Sequence, residues 1–174
     1  MKLPGTSRLA KLSRMLQHLI LPHWWVLRAF PKPALDAIAR AITSSEHHHC
    51  GELRFVVEAG LPFAGLLRSE SPRQRAIALF SALRVWDTEH NSGVLIYLQL
   101  IDRRVEIIAD RGIDACVGHE FWTAVCRRME RAFAENHFEA GALGALDEIT
   151  QALSTHFPLA DGGANELPDA PLVL

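Results

Sequence analysis

The stretch GVLIYLQLIDRRVEIIAD, residues 93–110, decides the fold class of this chain. Its first half is nearly continuous apolar sequence, which is typical of a central strand covered on both faces. A tight turn at Asp102-Arg103 then leads into RVEIIAD, which predicts the second strand of a hairpin. We therefore expect an antiparallel pair of strands at the centre of the fold.

Another strand is predicted upstream, in ELRFVVEA at 52–59, which is rich in β-branched residues and has apolar side chains at every second position. Between this strand and the hairpin, Ser71-Pro72 marks the start of a helix, because a capping hydroxyl precedes a proline that fits the first helical turn. Two strands that are joined through a helix are expected to run parallel, with a right-handed crossover.

Further helices flank these strands along the chain. Apolar residues recur at helical spacing after Pro33, over about 118–136 and over about 142–156. The order helix, strand, helix, strand, strand, helix, helix predicts an α/β fold. We expect a three-layer α/β/α sandwich with a small mixed central sheet, made of a parallel crossover plus a hairpin and flanked by helices.

The length of 174 residues fits a single domain, and the charge distribution adds a basic arm to it. Residues 1–35 carry six Lys and Arg side chains and no acid, whereas the rest of the chain carries 12 basic and 20 acidic side chains, a net charge of −8. We divide the chain into a basic amphipathic N-terminal arm (residues 1–30), an α/β domain (residues 31–158) and a C-terminal tail (residues 159–174).

The arm is the candidate contact with a partner. Arg8, Lys11 and Arg14 recur every third residue among leucines, which predicts a helix over residues 6–20 with a basic face. This helix either packs on the domain or frays, or it docks on a protein or a membrane surface with Trp24-Trp25 as interfacial anchors. The net charge of −2 argues against nucleic-acid binding, and the oligomeric state stays open.

We expect a cytoplasmic protein, with peripheral attachment to a membrane as an option. Cys50, Cys116 and Cys126 form no C-x-x-C motif and leave one cysteine over in any pairing, which suits a reducing compartment. The longest uncharged run near the N-terminus, from Met15 to Leu27, has 13 residues. A membrane-spanning helix needs about 20.

The predicted topology brings acidic segments to one edge of the sheet. The first strand starts at Glu52, the second starts at Gly93 and the third ends at Asp110, so these three positions should lie side by side. The segments that feed this edge carry further polar side chains: Glu46, His49, Asp87, Glu89, Asn91 and Asp114. The pattern therefore predicts an acidic cluster at one end of the sheet.

Residues 84–114, RVWDTEHNSGVLIYLQLIDRRVEIIADRGID, resemble the signature of the bacterial TPM-domain proteins. Softer similarities to the short, stand-alone members are Glu46-x-x-His49-x-Gly51-Glu52, Trp122 with Met129 and Phe133, the HFP sequence that ends at Pro158, and NELPD in the tail. The resemblance extends roughly over residues 30–174.

Resemblance to this family implies an α/β sandwich with a cleft at one end of its central sheet. Several members bind calcium or another divalent cation in that cleft, and a phosphatase role is attached to the family name. Other members look like accessory factors of membrane complexes. Many members carry a signal peptide and a membrane helix, and we expect neither in this chain.

Carboxylates in and beside the matched stretch are the candidate metal ligands: Asp110, Asp87, Glu89, Asp114 and Glu46. Ca²⁺ and Mg²⁺ take oxygen ligands, which carboxylates on loops at a strand edge supply. Asp110 leads this set because it ends a strand beside the turn at 91–93. Alternatively, these carboxylates cap helices and solvate turns, as Asp114 would for the helix that follows it. Glu46, His49 and Glu52 are a candidate second set of ligands, although Glu52 is also interpreted as an ordinary edge-strand carboxylate.

The sequence predicts a divalent-cation-binding accessory or interaction module with an acidic cleft at one sheet edge. The run His47-His48-His49-Cys50 is not interpreted as a zinc site, because adjacent side chains cannot converge on one ion. The alternative function is a metal-dependent phosphatase acting on phosphomonoesters, in which Arg111 is the candidate phosphate-binding residue. Whether the chain is an enzyme stays open.

Overall fold

The structure of the protein is a computed structural model that describes residues 24–159 and 165–174. Its elements follow in this order: α1 (Trp24–Ala29), α2 (Lys32–Ser45), β1 (Leu53–Glu58), α3 (Phe63–Leu67), α4 (Pro72–Ala82), β2 (Val94–Gln99), β3 (Arg104–Ala109), α5 (Arg111–Val117), α6 (His119–Ala134), α7 (Phe138–His156) and β4 (Leu172–Val173). The helices and strands predicted between Pro33 and His156 are all present, and α1, α3, α5 and β4 are additional.

The strands form one mixed sheet, with the order β3-β2-β1-β4 in the described part of the chain. β1 runs parallel to β2, with Leu53 opposite Val94, and β2 runs antiparallel to β3, with Val94 opposite Ala109. The predicted parallel crossover and hairpin are therefore confirmed. The hairpin turns at Arg103, whose φ of 50° lies in the left-handed region that tight hairpin connections use.

The fourth strand comes from the tail and is not predicted by the sequence pattern. β4 runs parallel to β1, with Leu172 opposite Val56. Two residues are too few to show the alternation by which strands are recognised. Arg54 of β1 holds the tail in place, because its guanidinium donates to the carbonyl oxygen of Ala170 at 2.7 Å and also to that of Pro168.

Only the end of the region predicted as a basic arm is described. The helix predicted at residues 6–20 lies outside the described residues. Val26 and Phe30 are fully buried, and Phe30 makes edge-to-face contacts with Phe55, Phe133 and Phe138 at centroid distances of 6.0, 6.0 and 5.7 Å. Each aromatic contact of this kind contributes about 0.5–1.5 kcal/mol beyond the area it buries. None of the described helices is long and apolar enough to cross a membrane.

Helices cover both faces of the sheet, which confirms the three-layer architecture. One face packs against α1, α2, α6 and α7, and α4 covers the other. α4 begins at Ser71 as predicted, since Gln74 N donates to Ser71 Oγ at 3.2 Å and Ser71 N donates to Gln74 Oε1 at 2.9 Å. Ala76 and Leu79 of α4 then pack on the sheet beside Tyr97.

A buried ion pair joins α4 to the sheet. Glu58, at the end of β1, accepts hydrogen bonds from Arg75 of α4 at 2.7 and 3.1 Å and from the Tyr97 hydroxyl at 2.6 Å. Burial, followed by the charge of Glu58, raises the pKa of Tyr97 far above its ordinary value. The raised pKa of Tyr97 agrees with a neutral hydroxyl that donates to Glu58.

Candidate functional site

One edge of the sheet carries the polar residues that the sequence predicts to form a site. The starts of β1 and β2 meet there, since Val94 N donates to the carbonyl oxygen of Glu52 at 2.8 Å. The end of β3 joins them through a 2.8 Å hydrogen bond from Asp110 N to the carbonyl oxygen of Gly93. Glu52, Gly93 and Asp110 thus lie side by side, as the predicted topology requires.

Asp110 lies at the N-terminus of α5, where its Oδ1 accepts a hydrogen bond from the backbone N–H of Arg111 at 2.7 Å. Its Oδ2 is buried and has no hydrogen-bond partner among the described residues. Arg111 Nε donates to Asn91 Oδ1 at 3.1 Å. Gly112 permits this close approach, because a Cβ at that position would lie 2.5 Å from the carbonyl oxygen of Asn91. Asp110, Asn91 and Arg111 are thereby brought together.

Asp114 lies one turn further along α5 and contacts the next helix. Its Oδ1 accepts a hydrogen bond from the indole Nε1 of Trp122 in α6 at 2.9 Å. The sequence offered Asp114 as a helix cap, but the structure gives the capping role to Asp110. The reason is that the chain becomes helical already at Arg111, directly after β3.

Asp87 and Glu89 lie in the loop between α4 and β2. Asp87 pairs with Arg84 at 3.1 Å, and both side chains are largely exposed. Glu89 contacts the tail through its backbone, whose N–H donates to Glu166 Oε1 at 3.3 Å. These two predicted ligands therefore make contacts different from those of Asp110, and their role as metal ligands stays a prediction.

Glu46, the fifth predicted ligand, belongs to a separate group that we call the tail carboxylate cluster: Glu46, Glu52 and Asp169. Glu46 follows α2, Glu52 precedes β1, and Asp169 lies in the tail before β4. Asn165 bridges two of them, because its Nδ2 donates to Glu46 Oε2 at 3.0 Å and to Asp169 Oδ1 at 2.6 Å. Thr43 of α2 also donates its hydroxyl to Asp169.

Glu52 anchors the tail through the tail's backbone. Its carboxylate is buried, and it accepts hydrogen bonds from the N–H groups of Glu166 and Leu167, both at 3.1 Å. Burial raises the pKa of Glu52 above its ordinary value, although these two donors act in the opposite direction. Glu52 is thus a buried tail anchor, where the sequence suggested an ordinary edge-strand carboxylate.

Glu46 keeps its proton at neutral pH. Burial, followed by the charges of Glu52 and Asp169, raises the pKa of Glu46 to about 8. Its Oε1 is buried and has no hydrogen-bond partner in the described part of the chain. A side-chain hydrogen bond with Asp169 raises the pKa of Glu46 further, so the proton of Glu46 lies between two carboxyl groups.

His49 is a neutral core residue beside this edge. It is 1% exposed, and burial lowers its pKa to about 4. Its Nδ1 accepts a hydrogen bond from Gly51 N at 3.2 Å, while the adjacent Cys50 Sγ lies 3.6 Å from the carbonyl oxygen of Pro158. His49 also forms a β-bridge with Pro158, so this segment fastens the start of β1 to the end of α7.

A cation at this edge would have few side chains to bind. No three His, Cys, Asp or Glu side chains within residues 24–159 and 165–174 are arranged to hold an ion together. In the tail carboxylate cluster, Glu52 is engaged with backbone donors, which leaves Glu46 and Asp169 with the amide of Asn165 between them. Water would have to supply the other ligands.

Sequence reasoning missed Asn165 and Asp169. Both belong to the NELPD segment, which the sequence marks only as a softer similarity. The available signal was the apolar PLVL that follows it, since an apolar chain end after polar turn residues favours docking of the tail on the domain. Placing Asp169 beside Glu46 then requires knowing that the tail adds a strand next to β1.

Comparisons with known proteins agree with the fold. Residues 29–152 match the TPM domain family. Among solved structures, the chain is similar to the NMR structure of the BA42 protein from the psychrophilic bacterium Bizionia argentinensis, with a TM-score of 0.71 and 26% identity. That similarity covers 82% of this chain and 93% of the BA42 chain. A search of curated proteins finds no match.

Proposed function

This chain belongs to the TPM domain family, and on that premise we propose that it is a divalent-cation-binding accessory module whose cation is held by Glu46 and Asp169. The observation that supports this site is the buried Glu46 Oε1, to which no described group donates a hydrogen bond and which belongs to a carboxyl group in reach of the Asp169 side chain. An orphaned carboxyl oxygen costs free energy unless a proton or a cation satisfies it.

The exchange of a proton for a cation is the chemistry that we infer. Glu46 retains a proton because burial and the charges of Glu52 and Asp169 raise its pKa to about 8. A divalent cation placed between Glu46 and Asp169 would release that proton and neutralise both carboxylates. Cation affinity should therefore increase as the pH rises toward 8, because proton and cation compete for the same oxygens.

Mg²⁺ or Ca²⁺ is the cation that this donor set fits. The protein offers two carboxylates and, if its amide is turned, the carbonyl oxygen of Asn165. Mg²⁺ is usually bound through one or two carboxylates and keeps several waters, whereas Ca²⁺ takes about six to eight oxygens. Either ion would therefore remain partly hydrated at Glu46 and Asp169.

Occupancy of this site would affect the tail. Asp169 and Asn165 come from the tail, while Glu46 belongs to the loop after α2. A cation that joins them holds the tail against the sheet edge, so the ion would control the shape of the surface that this edge offers to a partner. This is the property of an accessory module, and it needs no chemical reaction.

In the alternative function, metal-dependent hydrolysis of phosphomonoesters, Arg111 would bind the phosphate group of the substrate. Arg111 Nε donates to Asn91 Oδ1 beside Asp110, and no contact between described residues connects Arg111 with Glu46 or Asp169. The observed contacts therefore favour the binding module. A phosphatase assay still belongs in the test.

The test is thermal melting and calorimetric titration of the full chain in EDTA and then in CaCl₂ or MgCl₂. Ligand at 100 times its dissociation constant stabilises a fold by about 2.7 kcal/mol, which corresponds to several degrees for a domain of this size. We expect the wild type and an exposed-carboxylate control, Glu135→Gln, to show this increase in Tm. We expect Asp169→Asn to lose it.

Two outcomes would contradict the proposal. No increase in Tm with either ion would remove the cation site altogether. An increase that Asp169→Asn keeps but Asp110→Asn loses would move the ion to the end of β3, where the sequence placed it. Turnover of p-nitrophenyl phosphate that is abolished in both Asp169→Asn and Arg111→Ala would favour the phosphatase.

A further inference from the structure

A cavity of about 570 Å³ lies at the other end of the sheet, away from the tail carboxylate cluster. The end of β2 at Leu98 and the start of β3 at Arg104 form its floor, whereas the cluster lies at the start of β1. Sites for small organic molecules typically measure about 300–1,000 Å³. The volume of this cavity is therefore that of a small-molecule site.

Aromatic side chains from three helices form one wall of the cavity: Trp25 of α1, Phe133 of α6 and Phe138 of α7. Phe133 and Phe138 stack with a centroid distance of 5.3 Å and an angle of 29°. Phe30 supports both rings from the core side. This wall is apolar and fixed by packing, so it suits a flat or aliphatic ligand body.

Three arginines line the same cavity, Arg28, Arg103 and Arg104, against one carboxylate, Glu139. Arg104 lies 3.7 Å from Glu130. Arg28 and Arg103 are exposed, and neither forms an ion pair with another residue that the structure describes. The left-handed turn at Arg103 places this arginine where β2 passes into β3, whereas Arg28 comes from α1. The cavity therefore joins an apolar wall to an excess of positive charge.

We propose that this cavity binds a small amphipathic organic anion, with its apolar body on the aromatic wall and its acid group on Arg28 and Arg103. Guanidinium groups form strong, charge-assisted hydrogen bonds with carboxylate, sulfonate or phosphate oxygens. The site is distinct from the cation site in the chemistry of its ligand and in its place on the sheet.

The chain's own N-terminal residues are the competing occupant. Residues 1–23 carry Lys2, Arg8, Lys11 and Arg14 and no acidic side chain. Four positive charges make this segment a poor match for a cavity whose own excess charge is positive. Charge complementarity thus favours an anion from outside the chain.

The experiment titrates the ¹⁵N-labelled full chain with decanoate below its micelle concentration, and in parallel with decylamine, which is cationic at neutral pH. We expect decanoate to shift the backbone amides of Leu98 and Leu100 and the indole N–H of Trp25, and to bind about tenfold more tightly than decylamine. Addition of 0.5 M NaCl should weaken decanoate binding, because exposed charges are screened.

The variant Arg28→Ala/Arg103→Ala tests the charges directly. We expect it to bind decanoate about tenfold more weakly than the wild type, whereas Arg68→Ala, a matched exposed arginine in the loop after α3, should bind normally. The salt titration needs no variant and keeps the test valid if the double variant misfolds.

Three results would overturn the proposal. Decanoate shifts that map elsewhere would place its binding site outside the cavity. Equal binding of decanoate and decylamine, or of decanoate at low and high salt, would show that charge does not select the ligand. The absence of any shift at Trp25 with millimolar decanoate would show that the cavity is closed to an external anion.

Discussion

Glu46 connects a single proton with the stability of the fold. Folding raises its pKa from 4.5 to about 8, so below pH 4.5 the group is protonated in both states and its contribution to stability is complete. Between these values the unfolded chain has lost the proton that the folded chain retains, and the free energy of unfolding falls with rising pH. The glutamine of Glu46→Gln cannot ionise. In metal-free buffer, the free energy of unfolding of this variant should therefore fall over this pH range by roughly 2 kcal/mol less than that of the wild type, a value already reduced for the partial exposure of the group.

Urea unfolding in EDTA between pH 4.5 and 9 measures this effect. Glu135→Gln, at an exposed position after α6, serves as the matched control and should follow the wild type. A Glu46→Gln variant whose stability declines with pH as steeply as that of the wild type would show that the proton on Glu46 is not the cause.

The backbone of the loop before β2 approaches Gly112 so closely that a side chain has no room there. A Cβ at this position would lie 2.5 Å from the carbonyl oxygen of Asn91 and 2.8 Å from that of His90. Both atoms are backbone, so Gly112→Ala must displace the loop before β2, and we expect it to cost about 2–4 kcal/mol.

The same substitution at Gly144 is a matched control. Apart from its chain neighbours and the backbone of its own helix, no atom of the described residues lies within 4 Å of the position that a Cβ would take there, and the residue is inside α7. Gly144→Ala should therefore leave Tm unchanged or raise it, because alanine favours the helix by up to about 1 kcal/mol. Equal Tm values for the two variants would refute the close approach at Gly112.

At the scale of elements, a buried charge pair between Arg75 and Glu58 joins α4 to β1 beside their apolar contacts. The Arg75 side chain is 21% exposed and that of Glu58 only 4%. Arg75→Met would leave a buried carboxylate without its cation, at a cost of about 3 kcal/mol. The double variant Glu58→Gln/Arg75→Met removes both charges and should recover part of that loss.

Chemical denaturation of the single and double variants measures this coupling. Arg68→Met, at an exposed position just outside α3, is the control and should be neutral within about 0.5 kcal/mol. If Arg75→Met were as stable as the Arg68→Met control, the pair would contribute nothing to holding α4 on the sheet.

At the scale of the whole molecule, local patterns predict the central part of the fold but not its closure by the tail. The alternation in β1, the cap at Ser71 and the hairpin after β2 each depend on a few neighbouring residues, and so does the order of these elements. The contact between Glu46 and Asn165, in contrast, joins residues 119 positions apart. This contact depends on the position of β4, and a strand of only two residues is too short to be recognised from sequence periodicity.

For the candidate site, too, the sequence predicts which chain segments meet but not which side chains contact each other. The topology correctly brings Glu52, Gly93 and Asp110 to one edge, because strand direction alone determines which ends meet. It does not reveal which side chains contact each other there. Asp87 pairs with Arg84 within its own loop, a local preference that competes with any shared site.

The tail and the proposed cation should stabilise each other, and hydrogen exchange can measure this coupling. Leu174 N donates to the carbonyl oxygen of Val57 at 2.9 Å, so its amide exchanges when β4 leaves β1. If a cation joins Glu46 to Asp169, opening of the tail must first release the ion. At a cation concentration of 100 times the dissociation constant, the protection of the Leu174 amide from hydrogen exchange should then rise up to about a hundredfold over its value in EDTA.

Two controls accompany this measurement. Exchange of the Asn136 amide, in a turn at the opposite end of the sheet, should not change, and Asp169→Asn should abolish the gain in protection at Leu174. Equal protection of Leu174 with and without the ion, in a protein whose Tm the ion raises, would place the cation away from the tail.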